Sequence, residues 1–517
     1  MKLNIKNMST LLISGFMLLG TGCSKFLEQT DPSNVSPDNY YTIPEHAESA
    51  IAATYAQMRF IGAGAGIFSN NFQLLDAPTG ITNTETAQNS DLNNLYSLIY
   101  DGNNLHINQW WNGLYKTIGL ANLVIEKVPG IPRMDEGQQK RILGEARFVR
   151  AWSYFYLVRL WGDVPLITKP QSTTSEDFFP SRATQEDVYK LIVDDLTAAE
   201  SSGLGWMDAT GRVPMAAIKS LLAKVYLTMA GFPLNKGAAH YKLAADKAKE
   251  VVDYATAHPA EIDLYPTYNQ IHAVGSNNKL EHIFEIQYKS DITGNPLQSC
   301  MLPLHQPVSS IDGIGTTVPT AAFYASYEAG DLRAKNREGY FFSDYWKDGK
   351  GPGLYDPGNV YIFKHFDIIA NGSLGVAGTN QSNLNLPLIR YAEVLLIYAE
   401  AQNEAGGAPN AAAYDAMKRI RDRAKLTTPA IGTFNQATFR EAVWKERWHE
   451  LCYEGILWFD MVRLKKVYNE TTKGFDNFVG HVNKNSNQAL QEKHLLFPLP
   501  VNEMKNNPNL KPDNPGY

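Results

Sequence analysis

Pro214-Met215-Ala216-Ala217-Ile218-Lys219-Ser220-Leu221-Leu222-Ala223-Lys224-Val225-Tyr226-Leu227-Thr228-Met229-Ala230 is the stretch that decides the fold. Met215, Ile218, Leu222, Val225 and Met229 recur at helical spacing and make one apolar stripe. Beside it Ala216, Ala223 and Ala230 form a small-residue stripe, which lets a neighbouring helix approach closely. Proline at the start, with Gly231 and Pro233 past the end, is the punctuation of a helix.

Outward from this helix the pattern repeats. Residues 184–200 read as its partner and 239–257 as a further amphipathic helix; 45–60, 109–128 and 135–161 precede them. In the segment 135–161 apolar residues cover nearly all sides, Trp152, Phe155 and Leu157 included, so it is expected to lie buried between neighbours. It stops at Gly162-Asp163-Val164-Pro165, where proline forbids continuation. Much later, residues 386–405 and 409–425 form another pair around Gly406-Gly407. Paired helices with alanine and aromatic residues at facing positions point to a mainly α, tetratricopeptide-like scaffold built from separated pieces of chain. The expected body is a single unit, 45–517, with its helical scaffold in about 45–258 and 386–465.

Two stretches depart from this pattern. Residues 62–100 open with Gly62, Gly64 and Gly66 and continue rich in Asn, Thr and Asp. The glycines follow a helix and carry no GxGxxG or GK[ST] signature, so they make no phosphate loop. Residues 259–385 alternate like a strand only at 282–288 and are otherwise dense in Gly, Asn, Asp and aromatics. Long irregular segments in a compact body are usually functional or disordered, so the two are expected to form a binding lobe.

The amino terminus has the layout of a secretory signal: Lys2 and Lys6, an apolar run from Leu11 to Leu19, then Gly20-Thr21-Gly22-Cys23. The run is too short to span a bilayer, which takes about 20 apolar residues. Small residues ending on a cysteine resemble the lipobox of bacterial lipoproteins, although Gly20 stands where Leu is usual. The reading is a signal peptide over 1–22, lipidation at Cys23, and an extended tether over 23–44 with Pro32, Pro37 and Pro44.

A net charge of −6 from 47 basic and 53 acidic residues, with no basic block, argues against nucleic-acid binding. No CxxC, HExxH or paired-His spacing signals a metal. Cys300 and Cys452 read either as two buried thiols or as a disulfide, since sequence separation says nothing of geometry.

The final hundred residues resemble a known family. Phe439-Arg440-Glu441-Ala442-Val443-Trp444-Lys445-Glu446-Arg447, then Tyr453-Glu454-Gly455 and Trp458-Phe459-Asp460-Met461-Val462-Arg463, are similar to the carboxyl-terminal signature of the SusD/RagB family. So are Leu496-Phe497-Pro498-Leu499-Pro500 and Asn514-Pro515-Gly516-Tyr517. Earlier matches are Trp161-Gly162-Asp163-Val164-Pro165, Ile283-Phe284-Glu285-Ile286, Arg390-Tyr391-Ala392-Glu393 and Arg419-Ile420-Arg421-Asp422-Arg423. Departures are Trp448 where a second Arg is common, Ile456-Leu457 in place of His/Lys-Arg, and Asp513 where Gln is frequent. The resemblance implies an outer-membrane lipoprotein of Bacteroidota facing the cell exterior. It also implies a lid function on a SusC-like TonB-dependent transporter, a glycan ligand, no cofactor and no catalytic machinery. Oligopeptide binding in the RagB manner and glycoside hydrolysis are the alternatives.

A sugar needs a flat apolar ring against its C–H face and polar groups for its hydroxyls, which Tyr and Trp with Asn, Asp, Gln or Arg supply. In the loops the candidates are Trp346, Tyr345, Phe341 and Tyr355, with Asp344, Asn359, Asn70, Asn71 and Asp76 as polar partners and Trp206 as an outsider. Trp110, Trp152, Trp444 and Trp458 occupy helical motifs and are expected in the core. A hydrolase needs two carboxylates facing each other across the scissile bond. Glu441, Glu446, Glu450 and Glu454 are read instead as neighbours on one helix, neutralised in ion pairs by Arg440, Lys445, Arg447 and Arg463, and Glu393 with Arg390 and Arg421 with Asp422 are read the same way.

Overall fold

Side-chain caps open the helices close to where the periodicity places them. Asn104 accepts from the His106 and Ile107 amides, Asp135 from Gln138, Thr184 from Asp187 and Asn410 from Ala413. A computed structural model describes residues 40–175, 178–308, 313–347, 353–368, 382–484 and 486–517. Cys23 and nearly all of the tether lie outside the described residues.

The main helices are α1 (Pro44–Met58), α2 (Leu105–Lys127), α3 (Glu136–Trp161), α4 (Gln185–Glu200), α5 (Met215–Ala230), α6 (Ala238–Ala257), α7 (Tyr391–Gly406), α8 (Ala411–Arg423), α9 (Gln436–Glu450) and α10 (Leu457–Leu464). Each of α1 to α7 packs on the next, and α7 also packs on α8 and α9. The body is therefore mainly helical, and α7 docks on α6 although 133 residues (258–390) separate them. The small-residue stripe explains the close stacking: Ala216 and Ala223 of α5, Ala244, Ala245 and Ala248 of α6, and Ala392 and Ala399 of α7 are all buried. Helix α3 is buried over its carboxyl-terminal two-thirds, as its all-round apolar pattern requires.

Among the described residues sheet is confined to two-stranded pieces. Expected as the start of a helix, residues Leu386–Arg390 form a strand instead, antiparallel to His282–Ile286. All five residues of His282–Ile286 are buried, so their backbone groups need a partner inside the body. Pro387, which has no N–H, sits beside a register shift in that pairing. The helical pattern thus begins only at Tyr391, after the chain has filled this edge.

One large apolar core runs through the stacked helices, and a second, smaller one lies in the loop lobe. The second is mainly aromatic: Phe342, Tyr345, Tyr361, Phe363 and Phe366 with Leu302, Val308 and Val318. Cys300 and Cys452 are both buried free thiols. Among the described residues no helix is long and apolar enough to cross a membrane.

Candidate functional site

The two irregular stretches converge. Thr82–Asn83 pairs antiparallel with Val318–Pro319, and the Glu85 amide donates to the Gly315 carbonyl at 2.7 Å. The Glu85 carboxylate then ties the lobe together, accepting from the Tyr361 hydroxyl at 2.5 Å and the Leu304 amide at 3.0 Å. Gly315 has φ +61°, and a Cβ there would stand 2.4 Å from Glu85 Oε2, so only glycine permits this approach. Burial, and then the Glu85 charge, push the Tyr361 hydroxyl well above its usual pKa, so it remains a donor.

Asn70, Asn71 and Asp76, expected on the binding surface, are at most 3 % exposed and belong to the floor beneath it. The Asn70 side chain donates to Cys300 Sγ at 3.1 Å, while that of Asn71 serves the backbone. Asn71 Nδ2 donates to the Phe60 carbonyl at 2.7 Å, and the Asn71 carbonyl takes the Trp110 indole N–H at 2.6 Å. The Asn70 amide donates to Gln73 Oε1 at 2.9 Å, and Gln73 Nε2 reaches the Thr316 carbonyl at 3.0 Å.

The aromatic run divides by pleat. Phe341–Phe342 pairs with Tyr361–Ile362, and Tyr345–Trp346 with Leu354–Tyr355. Phe341 and Tyr345 are each only 1 % exposed, which corrects their reading as surface aromatics. The Tyr345 ring lies 4.7 Å from Phe366, and Phe341 packs 5.1 Å from Tyr324. Trp346 and Tyr355 are half-buried, each resting on the aromatic cluster with part of its surface open. Directly opposite Trp346 stands Leu354, 52 % exposed, which continues an apolar face.

Polar groups border both rings. Arg337 lies over the Trp346 ring at 5.0 Å and pairs with Asp344 at 3.0 Å; Asn336 holds the same Asp344 oxygen at 3.0 Å. Tyr355 donates its hydroxyl to Gln306 Oε1. Asn359 is exposed on the loop that follows, its side chain accepting from the Val360 amide at 2.8 Å. The structure thus brings Trp346, Asp344 and Tyr355 onto one hairpin, with Asn359 four residues beyond it. It adds Gln306, Arg337, Asn336, Glu85 and Leu354, which sequence reasoning missed. Arg337 lies six residues before Ser343 and Glu85 within the irregular stretch, so position was the available signal for both.

Trp206 stands apart. Its ring stacks on Tyr254 at 4.0 Å and 8°, and Tyr254 stacks in turn on His258 at 4.1 Å. This ladder pins the α4–α5 link to α6. Trp110, Trp152 and Trp458 are buried, whereas Trp444 is half-buried, edge-on to Phe475.

The carboxylates of the carboxyl-terminal signature are interior ion-pair partners. Glu441 is exposed on α9, and Glu454 lies beyond the helix end, after Tyr453 at φ +61° and before Gly455 at φ +66°. The turn aims Glu454 at Arg390, with contacts of 2.6 and 2.9 Å, and at Lys364. Glu450 takes Arg423 at 2.6 Å, and Glu446 pairs with Arg333 at 3.1 Å and with Arg421. These partners replace the expected Arg440, Lys445, Arg447 and Arg463, of which the last two serve Asp460 and Glu400. Glu393 pairs with Lys224 instead of Arg390, and Asp422 with Lys418 instead of Arg421. Burial alone would raise the Glu454 carboxyl, but the Arg390 and Lys364 charges hold it down at about 2. Glu454, and Glu450 lowered likewise by the Arg423 charge, are ionised struts without the raised pKa a general acid needs. Among the described residues no cluster of three or more His, Cys, Asp or Glu side chains offers a metal site.

Comparisons with known proteins agree with this architecture. Residues 316–517 match the model of the SusD family, and residues 25–227 match a SusD-like model described as starch-binding associating with outer membrane. The chain is 28 % identical to SusD-like protein P2 of Formosa agariphila, covering 97 % of this chain and 98 % of that one. A crystal structure of a SusD superfamily protein from Parabacteroides distasonis superposes with a TM-score of 0.84 at 34 % identity, over 94 % of this chain and 100 % of the other. The fold is also that of surface glycan-binding protein A from Bacteroides uniformis, with TM-score 0.73 and 20 % identity over 91 % and 99 % of the two chains. With a 34 % identical relative matched along nearly its whole length, the chain belongs to the SusD/RagB family.

Proposed function

We propose that the protein captures an oligo- or polysaccharide on the Trp346–Tyr355 hairpin and hands it on without cleaving it. The observation that carries this reading is a pair of half-exposed aromatic rings seated on a rigid aromatic cluster and flanked by Arg337, Asp344 and Gln306. Rings held on a packed base keep their faces available at little entropic cost, and the flanking amide, carboxylate and guanidinium can exchange bonds with sugar hydroxyls. The names of its relatives, which include a surface glycan-binding protein and a starch-binding model, support the ligand class. The same model name, associating with outer membrane, supports that location. In this reading Cys23 carries the lipid anchor, residues 24–44 give slack, and the body is a lid on a SusC-like TonB-dependent transporter.

Retention on a polysaccharide panel tests the ligand. With the polysaccharide that the protein retains, Trp346→Ala is expected to weaken binding by about 1–2 kcal/mol, a five- to thirtyfold loss, with the melting temperature unchanged. Lost stability with unchanged binding would make Trp346 structural. Binding of peptides and of no glycan would favour the oligopeptide reading, and release of shorter fragments from a bound glycan would overturn the non-catalytic one. Co-purification of a TonB-dependent transporter from membranes tests the partner.

A further inference from the structure

A separate cavity lies where α3, α4, α5 and α10 meet the chain's end. It encloses about 410 Å3, within the range of small-molecule sites, and takes no lining residue from the loop lobe. Its wall is mostly apolar, with Tyr189, Phe232, Phe459, Val462 and Leu496 among the lining side chains and Gln185, Arg463, Glu492, Lys493 and Asn514 among its polar members. Into it faces Arg159, 9 % exposed.

Arg159 is held by its sides, leaving its charge without a counter-ion among the described residues. The guanidinium lies between the rings of Phe155 and Phe459, 3.7 and 3.6 Å from their centroids, and Nε donates to the Phe155 carbonyl at 2.8 Å. Tyr156 adds a hydroxyl. The acids nearest in charge are committed elsewhere: Glu393 to Lys224 at 2.7 Å, and Asp460 to Arg463 and Arg447 at 2.7 and 2.8 Å. Burial lowers the guanidinium to about 10, so it is still a cation at neutral pH. Every other buried arginine of the scaffold interior described above has a carboxylate in contact. A cation buried without one is costly, and ring faces offset only part of that cost. A ligand carrying an anion would complete the site with a charge-assisted bond.

We propose that this cavity binds a small amphipathic monoanion, a carboxylate on an apolar body, with the carboxylate on Arg159 and the apolar body against Phe232, Val462 and Leu496. The site is distinct from the glycan surface and independent of it.

Calorimetric titration of the purified protein with octanoate, and with octanol as its uncharged counterpart, tests this. Octanoate is expected to bind at least about tenfold more tightly than octanol, equivalent to about 1.4 kcal/mol. Arg159→Met should remove that preference while leaving octanol binding and glycan retention as they were. Leu496→Trp, a change at the half-exposed rim that spares the core, should weaken both ligands, and it keeps the test decisive if Arg159→Met fails to fold. Absence of saturable octanoate binding, equal affinity for the two probes, or octanoate affinity untouched by Leu496→Trp would overturn the proposal.

Discussion

Asp76 shows what a polar residue in a polar stretch can conceal. It lies in the floor of the lobe, 1 % exposed, and burial pushes its carboxyl up to about 7 against the Gly455 amide and the Lys364 charge. In the unfolded chain the same group titrates near 3.8. Between these values the folded protein holds a proton that the unfolded chain has released, so this group's contribution to stability falls as pH rises, by about 1.4 kcal/mol per pH unit. Asp76→Asn, which copies the protonated acid, is therefore expected to stabilise the protein by about 2–4 kcal/mol above pH 7 and by much less at pH 4.5. Urea denaturation at the two pH values measures the difference; an equal effect at both would rule the shift out. Composition alone places Asp76, Asn70 and Asn71 outside, because it counts polar groups and not their partners. What holds Asn70 and Asn71 inside is the partners their side chains meet there, the Cys300 sulfur and the Phe60 carbonyl. Trp346 was legible as a surface aromatic, whereas Tyr345 beside it was not: strands of two residues are too short to show which of two adjacent rings faces the core.

The strand Leu386–Arg390 joins lobe to scaffold, and its last residue carries much of that junction. Arg390 meets Glu454 at 2.6 Å, and Glu281 and Glu450 besides, each with its side chain at most 5 % exposed. Arg423 bridges Glu281 and Glu450 from α8, and Lys364 reaches Glu454 from the lobe. Removing one charge from such a set leaves an uncompensated carboxylate in the interior. Arg390→Met is expected to destabilise by about 3–5 kcal/mol, more than its lost packing explains. Arg390→Met combined with Glu454→Gln should recover part of the loss, a coupling that a double-mutant cycle in urea reads directly. Additive losses would mean that the two do not act as a pair. Helix periodicity made α1 to α8 legible to within a few residues, since an apolar stripe and its caps are local properties. The strand was not, because Leu386-Pro387-Leu388-Ile389 is an apolar run whose period says nothing until its partner at 282–286 is known.

Across the whole molecule, burial of histidines outweighs that of raised carboxyls. His106 and His365 are held down at about 4 and His272 and His449 at about 3, in each case first by burial. These four come from both parts of the body: His449 from α9 and His106 from α2, His272 and His365 from the lobe. Their usual value is 6.5, so as pH falls below it the unfolded chain takes up protons that the folded one refuses, and stability is lost. Asp76 and Glu470, both raised to about 7, act in the opposite sense. With His494, also held at about 4, the lowered histidines outnumber these two carboxyls, so unfolding takes up protons on balance and stability is lost as pH falls between about 6 and 4.5. The urea midpoint is accordingly expected to fall steeply over that interval, well above the range where the paired carboxylates such as Glu454 protonate. His272 isolates the cause: its two ring nitrogens find no hydrogen-bond partner among the described residues, and its ring packs 4.7 Å from Phe363. His272→Leu should cut the slope by about 1.4 kcal/mol per pH unit, one histidine's share, and leave stability at pH 8 little changed. A slope unaltered by that substitution would place the acid sensitivity elsewhere.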